Sequence, residues 1–209
     1  ALRARLGWTL STKADPGADV NYLSAYFESQ RLRPWPETAT AAYLTHREEE
    51  PPGNAKARLY DRVAEQVDLR IATCRLYAAA LEAYGPTAQM PAPVETDRFV
   101  LAKAERRSRT VCGFAGYTYV NGRKGEDLAE LAVASDVGRR CDWVASGRGW
   151  PVPTTRYPWA KMPAFYQGLD VLVCTSLVEG IPMPPLEALA CGVSVVIPQG
   201  VGMLDELPD

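Results

Sequence analysis

Short apolar and β-branched runs alternate along the chain with longer segments whose apolar positions recur at helical spacing, the pattern that builds parallel α/β sheets. The runs predict strands over Gly7–Thr12, Val20–Tyr26, Ala41–Thr45, Leu69–Thr73, Val111–Gly116, Cys141–Ser146, Val171–Thr175 and Ser194–Ile197. Helices are predicted between them over Lys56–Val67, Arg75–Tyr84, Gly125–Ala134, Trp159–Gln167 and Pro184–Cys191. Thr73 stands where an N-cap would open the second helix, and Gly85-Pro86 close it. The alternation breaks at Met90–Arg109, where a Pro-rich stretch (Met90 to Phe99) precedes the basic run Lys103–Arg109. That break divides the chain into residues 1–95 and 96–209. The basic run reads either as solvated charge at an interdomain crossing or as a patch for an acidic acceptor or a membrane surface.

Composition narrows the chemistry. The chain has 209 residues, 47% of them hydrophobic, with 23 Lys+Arg against 25 Asp+Glu. This supplies a real core and disfavours nucleic-acid binding by bulk charge, leaving a polymeric acceptor only through the Lys103–Arg109 patch. A single histidine, His46, excludes His-rich zinc sites and two-His iron sites, each of which needs a second imidazole. The five cysteines, Cys74, Cys112, Cys141, Cys174 and Cys191, form no CxxC. Cys112, Cys174 and Cys191 lie in apolar runs and read as buried free thiols of a reducing compartment. No run of membrane-spanning length and no signal-peptide core is present, so a cytoplasmic protein is expected.

The richest stretch is Leu169–Val196, L-D-V-L-V-C-T-S-L-V-E-G-I-P-M-P-P-L-E-A-L-A-C-G-V-S-V-V. A strand runs into a loop carrying Glu179 and Gly180, Pro184-Pro185 open a helix, and Gly192 closes it. Such a loop lies at the carboxyl end of a parallel strand, where open α/β sheets bind ligands, and the helix N-terminus favours an anion. Two acids flank the place, Glu179 in the loop and Glu187 in what the spacing makes the first helical turn. Carboxylates beside a phosphate would repel it unless they face sugar hydroxyls, which points to a nucleotide sugar. Taken singly, Glu187 also reads as a favourable acid in a first turn and Glu179 as a capping partner of Ser176.

The string E-G-I-P-M-P-P-L-E-A-L-A-C-G-V-S-V-V resembles the E-x7-E signature of retaining glycosyltransferases of the GT-B type, in the branch related to glycogen and sucrose-phosphate synthases. The resemblance implies two Rossmann-like domains, here with a reduced N-terminal one on the acceptor side and a donor-binding domain from residue 96. It implies that Glu179 contacts donor-sugar hydroxyls, that Glu187 contacts the nucleotide ribose, and that Gly180, Ile181, Pro182 and Met183 lend backbone N–H groups. The stretch V-C-G-F-A-G-Y-T-Y-V-N-G-R-K-G-E-D-L resembles the family's strand, glycine turn and K-G helix start. Lys124 would neutralise the donor diphosphate. Tyr117, after Gly116, stands where the family usually has a second basic residue, and Arg123 is the candidate to replace it. A-A-Y-L-T-H and the helices after it resemble the end of the family's first domain, which would place His46 at the donor sugar near the reacting carbon. As a lone histidine it also reads as structural. Glu48, Glu49 and Glu50 read as a solvated acidic loop.

The chain opens at Ala1-Leu2-Arg3-Ala4-Arg5-Leu6 as though inside the family's first helix and stops after Val201–Leu207, where the family continues, so the expectation is either a reduced form of the fold or, as favoured, a chain trimmed at one or both ends. The resemblance implies metal-independent transfer of a sugar from a nucleoside-diphosphate sugar to an unidentified hydroxyl acceptor with retention, and no cofactor. A binding module without turnover is the alternative.

Overall fold

The computed structural model describes residues 8–31, 37–48, 51–101, 107–199 and 201–202. Expectations at residues 1–7, Glu49 and Glu50, residues 103–106 of the basic run, and residues 203–207 lie outside these. The chain divides into two units, Ala1–Pro91 and Ala92–Asp209, so the boundary falls inside the Pro-rich stretch.

In the first unit, strands β1 (Val20–Leu23), β2 (Ala39–Leu44), β3 (Leu69–Ala72) and β4 (Thr87–Gln89) form one parallel sheet in sequence order. Helix α1 (Ala55–Gln66) buries Ala57, Tyr60, Val63 and Ala64, of which Tyr60, Val63 and Ala64 join a core with Leu23, Tyr26 and Leu44. Asn54 caps its start by accepting from the Ala57 amide at 2.9 Å. Arg70 secures its other end. Buried in β3, its Nε donates to the Ala64 carbonyl at 2.6 Å and its other nitrogens reach the carbonyls of Asp68 and Glu65. A guanidinium thus answers carbonyls that the helix end leaves without amides. Helix α2 (Arg75–Leu81) passes into a 3-10 turn, Glu82–Tyr84.

In the second unit, β5 (Val111–Tyr117), β6 (Asp142–Arg148), β7 (Thr154–Thr155), β8 (Val171–Val173) and β9 (Ser194–Val196) form a parallel sheet of order β7-β6-β5-β8-β9. Helices α3 (Glu126–Ala134), α4 (Met162–Gln167) and α5 (Met183–Ala190) connect the strands. On one side of the core Phe114 stacks between Trp143 and Trp150, with ring centroids 5.0 and 4.9 Å away. On the other, Phe99, Phe165, Tyr166, Leu169 and Leu172 pack together. The chain leaves β5 in one direction to β6 and β7, then crosses to β8 and β9. Strand order therefore reverses between β5 and β8, which opens a crevice at their carboxyl ends.

Several expectations are corrected. Trp8–Thr12 is irregular; the Trp8 ring packs on Tyr22 of the edge strand β1, but the segment joins no ladder. The Val20–Tyr26 run stops at Leu23, and Tyr26 belongs to a 3-10 turn (Tyr26–Arg31). Thr73 does not cap α2; the N-cap is Cys74, and the Thr73 hydroxyl donates to the Thr45 carbonyl at 3.1 Å. Cys74 is buried, and Cys174 is only partly so. Arg107 and Arg109 of the basic run pair with Asp170 at 3.6 Å and Asp142 at 2.8 Å.

Arg70→Ala strips the α1 carboxyl end of its donors in a buried place and is expected to lower the unfolding free energy by about 2–3 kcal/mol in denaturant titrations. A loss below about 0.5 kcal/mol, the usual scale of a surface substitution, would show that water takes over those carbonyls.

Candidate functional site

Two loops flank the crevice between β5 and β8. The first follows β5 and ends at Gly125, the N-cap of α3, whose φ of 67° is left-handed. A Cβ there would lie 2.0 Å from the Thr175 carbonyl oxygen, so only glycine permits both the turn and the approach. The second loop, from Cys174 to Pro182, follows β8 and is bound to the first. The Thr175 hydroxyl donates to the Lys124 carbonyl at 2.7 Å, and the Leu177 amide donates to the Arg123 carbonyl at 2.9 Å. With its backbone held this way, Lys124 makes an ion pair with Glu179 across the two loops. Both side chains are shielded from solvent, 14% and 12% exposed. Lys124, Thr175, Ser176, Pro182 and Pro184 line one small cavity. Cys174 also lines it, and burial pushes its thiol up, which disfavours a thiolate.

The structure thus joins Lys124 and Glu179, which stand far apart in sequence, and Glu179 pairs with Lys124 rather than capping Ser176. Arg123 lies over the Tyr119 ring, 4.7 Å from its centroid. Gly180 and Pro182 are buried, and Ile181 and Met183 are partly so. Pro182 supplies no amide, a correction to its expected part as a donor, and Pro184 and Pro185 supply none at the second and third helical positions. Of residues 182–185 only Met183 carries a backbone N–H. Helix α3 begins with Glu126 and Asp127, and Glu126 Oε1 accepts from the Tyr119 amide at 2.9 Å. The two acids of that first turn offset its dipole, while its first-turn amides carry no side-chain cap.

Glu187 also differs from expectation. Helix α5 starts at Met183, which puts Glu187 in the second turn, so the reading of a first-turn acid falls. It is 3% exposed, and its Oε2 accepts from the Tyr166 hydroxyl at 2.6 Å. Burial pushes the Glu187 carboxyl above its ordinary range, against which the Tyr166 hydrogen bond works. Tyr166 is itself raised, by burial first and by the carboxylate second. His46 lies just past β2 in the first unit, partly buried.

At the end of β5, Gly116 is left-handed with φ 108° and Tyr117 is uncharged. The sequence reading missed what surrounds this ring. Arg148 and Arg156 both lie against it, at 5.6 and 5.7 Å from the centroid. The signal in the sequence was slight, an arginine between glycines in S-G-R-G at the end of a predicted strand.

Several solved structures of glycosyltransferases share this fold. Sucrose-phosphate synthase from Thermosynechococcus elongatus superposes with a TM-score of 0.69 at 15% identity, over 91% of this chain and 58% of that one. The fold is that of the GT-B type. The catalytic domain of starch synthase IV from Arabidopsis thaliana, bound to ADP and acarbose, gives 0.64 at 11% identity, over 91% of this chain and 58% of that one. A variant of S. aureus TarM in complex with fondaparinux, alpha-GlcNAc-glycerol and UDP gives 0.66 at 14% identity, over 87% and 41%. The chain thus spans little more than half of these GT-B proteins, or less. Residues 154–207, which include Glu179 and Glu187, match the family model Glycosyl transferases group 1. No curated protein matches the chain. Among the described residues, no helix is long and apolar enough to cross a membrane, and no group of three or more His, Cys, Asp and Glu could hold a metal.

Glu187 holds its proton more tightly folded than unfolded, so stability is greatest below the unfolded carboxyl pKa and falls as pH rises through the raised folded value. Unfolding titrations between about pH 4 and pH 8 should show that decline in the native chain and a flatter profile in Glu187→Gln. Parallel profiles would assign the slope to other groups.

Proposed function

We propose that the second unit binds a nucleoside-diphosphate sugar and that the protein transfers its sugar to a hydroxyl acceptor with retention of configuration and without a metal. The observation that carries the reading is the Lys124–Glu179 pair at the reversal of strand order, a cation and a hydroxyl acceptor held side by side where this architecture takes ligands. In the free protein the two groups satisfy each other. A bound donor offers each a better partner, the diphosphate for Lys124 and sugar hydroxyls for Glu179. In this reading the amides of Gly180, Ile181 and Met183 and the Arg123 guanidinium supply further donors.

Transfer breaks the bond between the anomeric carbon and the diphosphate oxygen and forms one between that carbon and the acceptor oxygen. The acceptor's proton passes to the departing diphosphate. The enzyme's part is positional and electrostatic: Lys124, with Arg123, stabilises charge that grows on the leaving group as the bond lengthens. Lysine supplies that charge without a divalent ion. Glu179 fixes the sugar and Glu187 serves the ribose. The UDP and ADP named with two of the GT-B structures favour a nucleoside diphosphate as the leaving group.

Thermal-shift and calorimetric panels of nucleoside diphosphates and their sugars identify the donor, because a ligand of the native state raises stability through its affinity. Lys124→Ala should weaken diphosphate binding about 10- to 100-fold, the worth of a charge-assisted contact. Glu179→Ala should lower turnover about 10²- to 10³-fold, product should form with retained anomeric configuration, and a chelator should leave the rate unchanged. Unchanged binding and rates in both variants would sink this site. Binding without turnover in the native chain would instead establish a nucleotide-sugar binding module.

A further inference from the structure

Positive charge also gathers on the same edge of the sheet, away from the Lys124–Glu179 pair in sequence. Tyr117 closes β5 and is 40% exposed. Arg148 closes β6 directly beside it in register, and Arg156 follows β7 at once. Three adjacent parallel strands therefore bring one aromatic ring and two guanidinium groups together at their carboxyl ends. Both arginines are exposed, and neither guanidinium has a carboxylate partner among the described residues. Two like charges against one ring repel each other, and the ring face offsets that only in part. An anion between them would relieve the repulsion and accept from both.

The backbone beneath is fixed. Gly116, Gly147 and Gly149 all have positive φ. A Cβ on Gly147 would lie 1.9 Å from the Gly116 carbonyl oxygen, so the two strand ends touch backbone to backbone. The Gly116 carbonyl accepts from Trp150 Nε1 at 2.9 Å, and the Trp150 ring stacks on Phe114 in the core. The Thr118 amide donates to the Arg148 carbonyl at 3.0 Å. Above Gly116 there is room: a Cβ built there meets nothing within 4 Å. The cluster is thus a rigid, cationic rim with open space beside it, one strand from the crevice that Lys124 enters.

We propose that Tyr117, Arg148 and Arg156 form a phosphate-binding element of the donor site, the ring holding both guanidinium groups toward the diphosphate of the nucleotide sugar. This rests on the donor reading given above. Affinity for the diphosphate is then shared between Lys124 on one side and the two arginines on the other, and the Tyr117 ring matters while its hydroxyl does not.

Titration calorimetry of the 209-residue chain with UDP, ADP, GDP, the matching nucleosides and inorganic pyrophosphate tests this. For the best-bound diphosphate, Arg148→Gln and Arg156→Gln should each weaken binding about tenfold and the double variant about a hundredfold, with nucleoside affinity unchanged. The double variant should also lose part of the salt dependence of binding. Tyr117→Phe should bind as the native chain does, and Tyr117→Ala should weaken binding about as much as either arginine variant. Pyrophosphate that responds to the arginines as strongly as the nucleotides do assigns the element to the phosphates themselves. A double variant that binds the diphosphate undiminished, while Lys124→Ala weakens it, overturns the assignment of the arginines and leaves the donor site standing. A native chain that binds none of the nucleotides overturns both.

Discussion

The second unit depends on one backbone contact, the approach of Gly125 to the Thr175 carbonyl. The space a side chain would need at Gly125 is already filled by that oxygen. Two hydrogen bonds, from the Thr175 hydroxyl and the Leu177 amide, then fasten the loop after β5 to the loop after β8. Each bond contributes about 1 kcal/mol, so their value lies less in stability than in direction. With their carbonyls committed to the second loop, Arg123 and Lys124 have little backbone freedom left, and the Lys124 ammonium is delivered to Glu179. The K-G pair of the sequence is one device: the glycine permits the contact that aims the lysine.

That device matters more because the helix dipoles contribute little here. The start of α3 carries Glu126 and Asp127, whose charge offsets its dipole, and the start of α5 has proline at its cap and at two of its first three positions, which leaves Met183 as the amide donor among them. A helix start with proline in place of N–H groups, as in α5, still favours an anion through its dipole but offers it few hydrogen bonds. On the donor reading proposed above, side-chain cations carry most of the neutralisation of a diphosphate. Lys124 is shielded against Glu179, and that pairing limits the cost of holding a charge out of water.

Much of the fold could be read from the sequence because the interior strands are long apolar runs flanked by glycine or polar turns. Val111–Tyr117 and Asp142–Arg148 were visible within a residue or two. The strands that escaped, Thr87–Gln89 and Thr154–Thr155, are short outermost strands whose existence is decided by a neighbour's unpaired backbone and not by their own hydrophobicity. Trp8–Thr12 shows the converse, an apolar run with no place in a sheet. Glu179 and Lys124 were legible through the spacing of their surroundings, but their pairing was not, since it depends on the tertiary contact at Gly125. The Glu187 turn was misplaced by the prolines. Pro184-Pro185 read as the opening of the helix, whereas Met183 already has helical geometry.

Arg148 and Arg156 illustrate a harder limit. Parallel register sets Arg148 beside Tyr117, and the β6–β7 pairing brings Arg156 to the same ring; neither relation leaves a local trace. A tyrosine at position 117 looks like the loss of a cation when the strand is read alone. In the sheet it becomes a surface on which cations from two neighbouring strands collect. A lysine or arginine at 117 would repel Arg148 at register distance, whereas an aromatic face attracts it. The uncharged residue and the two arginines are therefore consistent parts of one solution, in which charge is moved one strand outward and the ring holds it at the edge of the crevice.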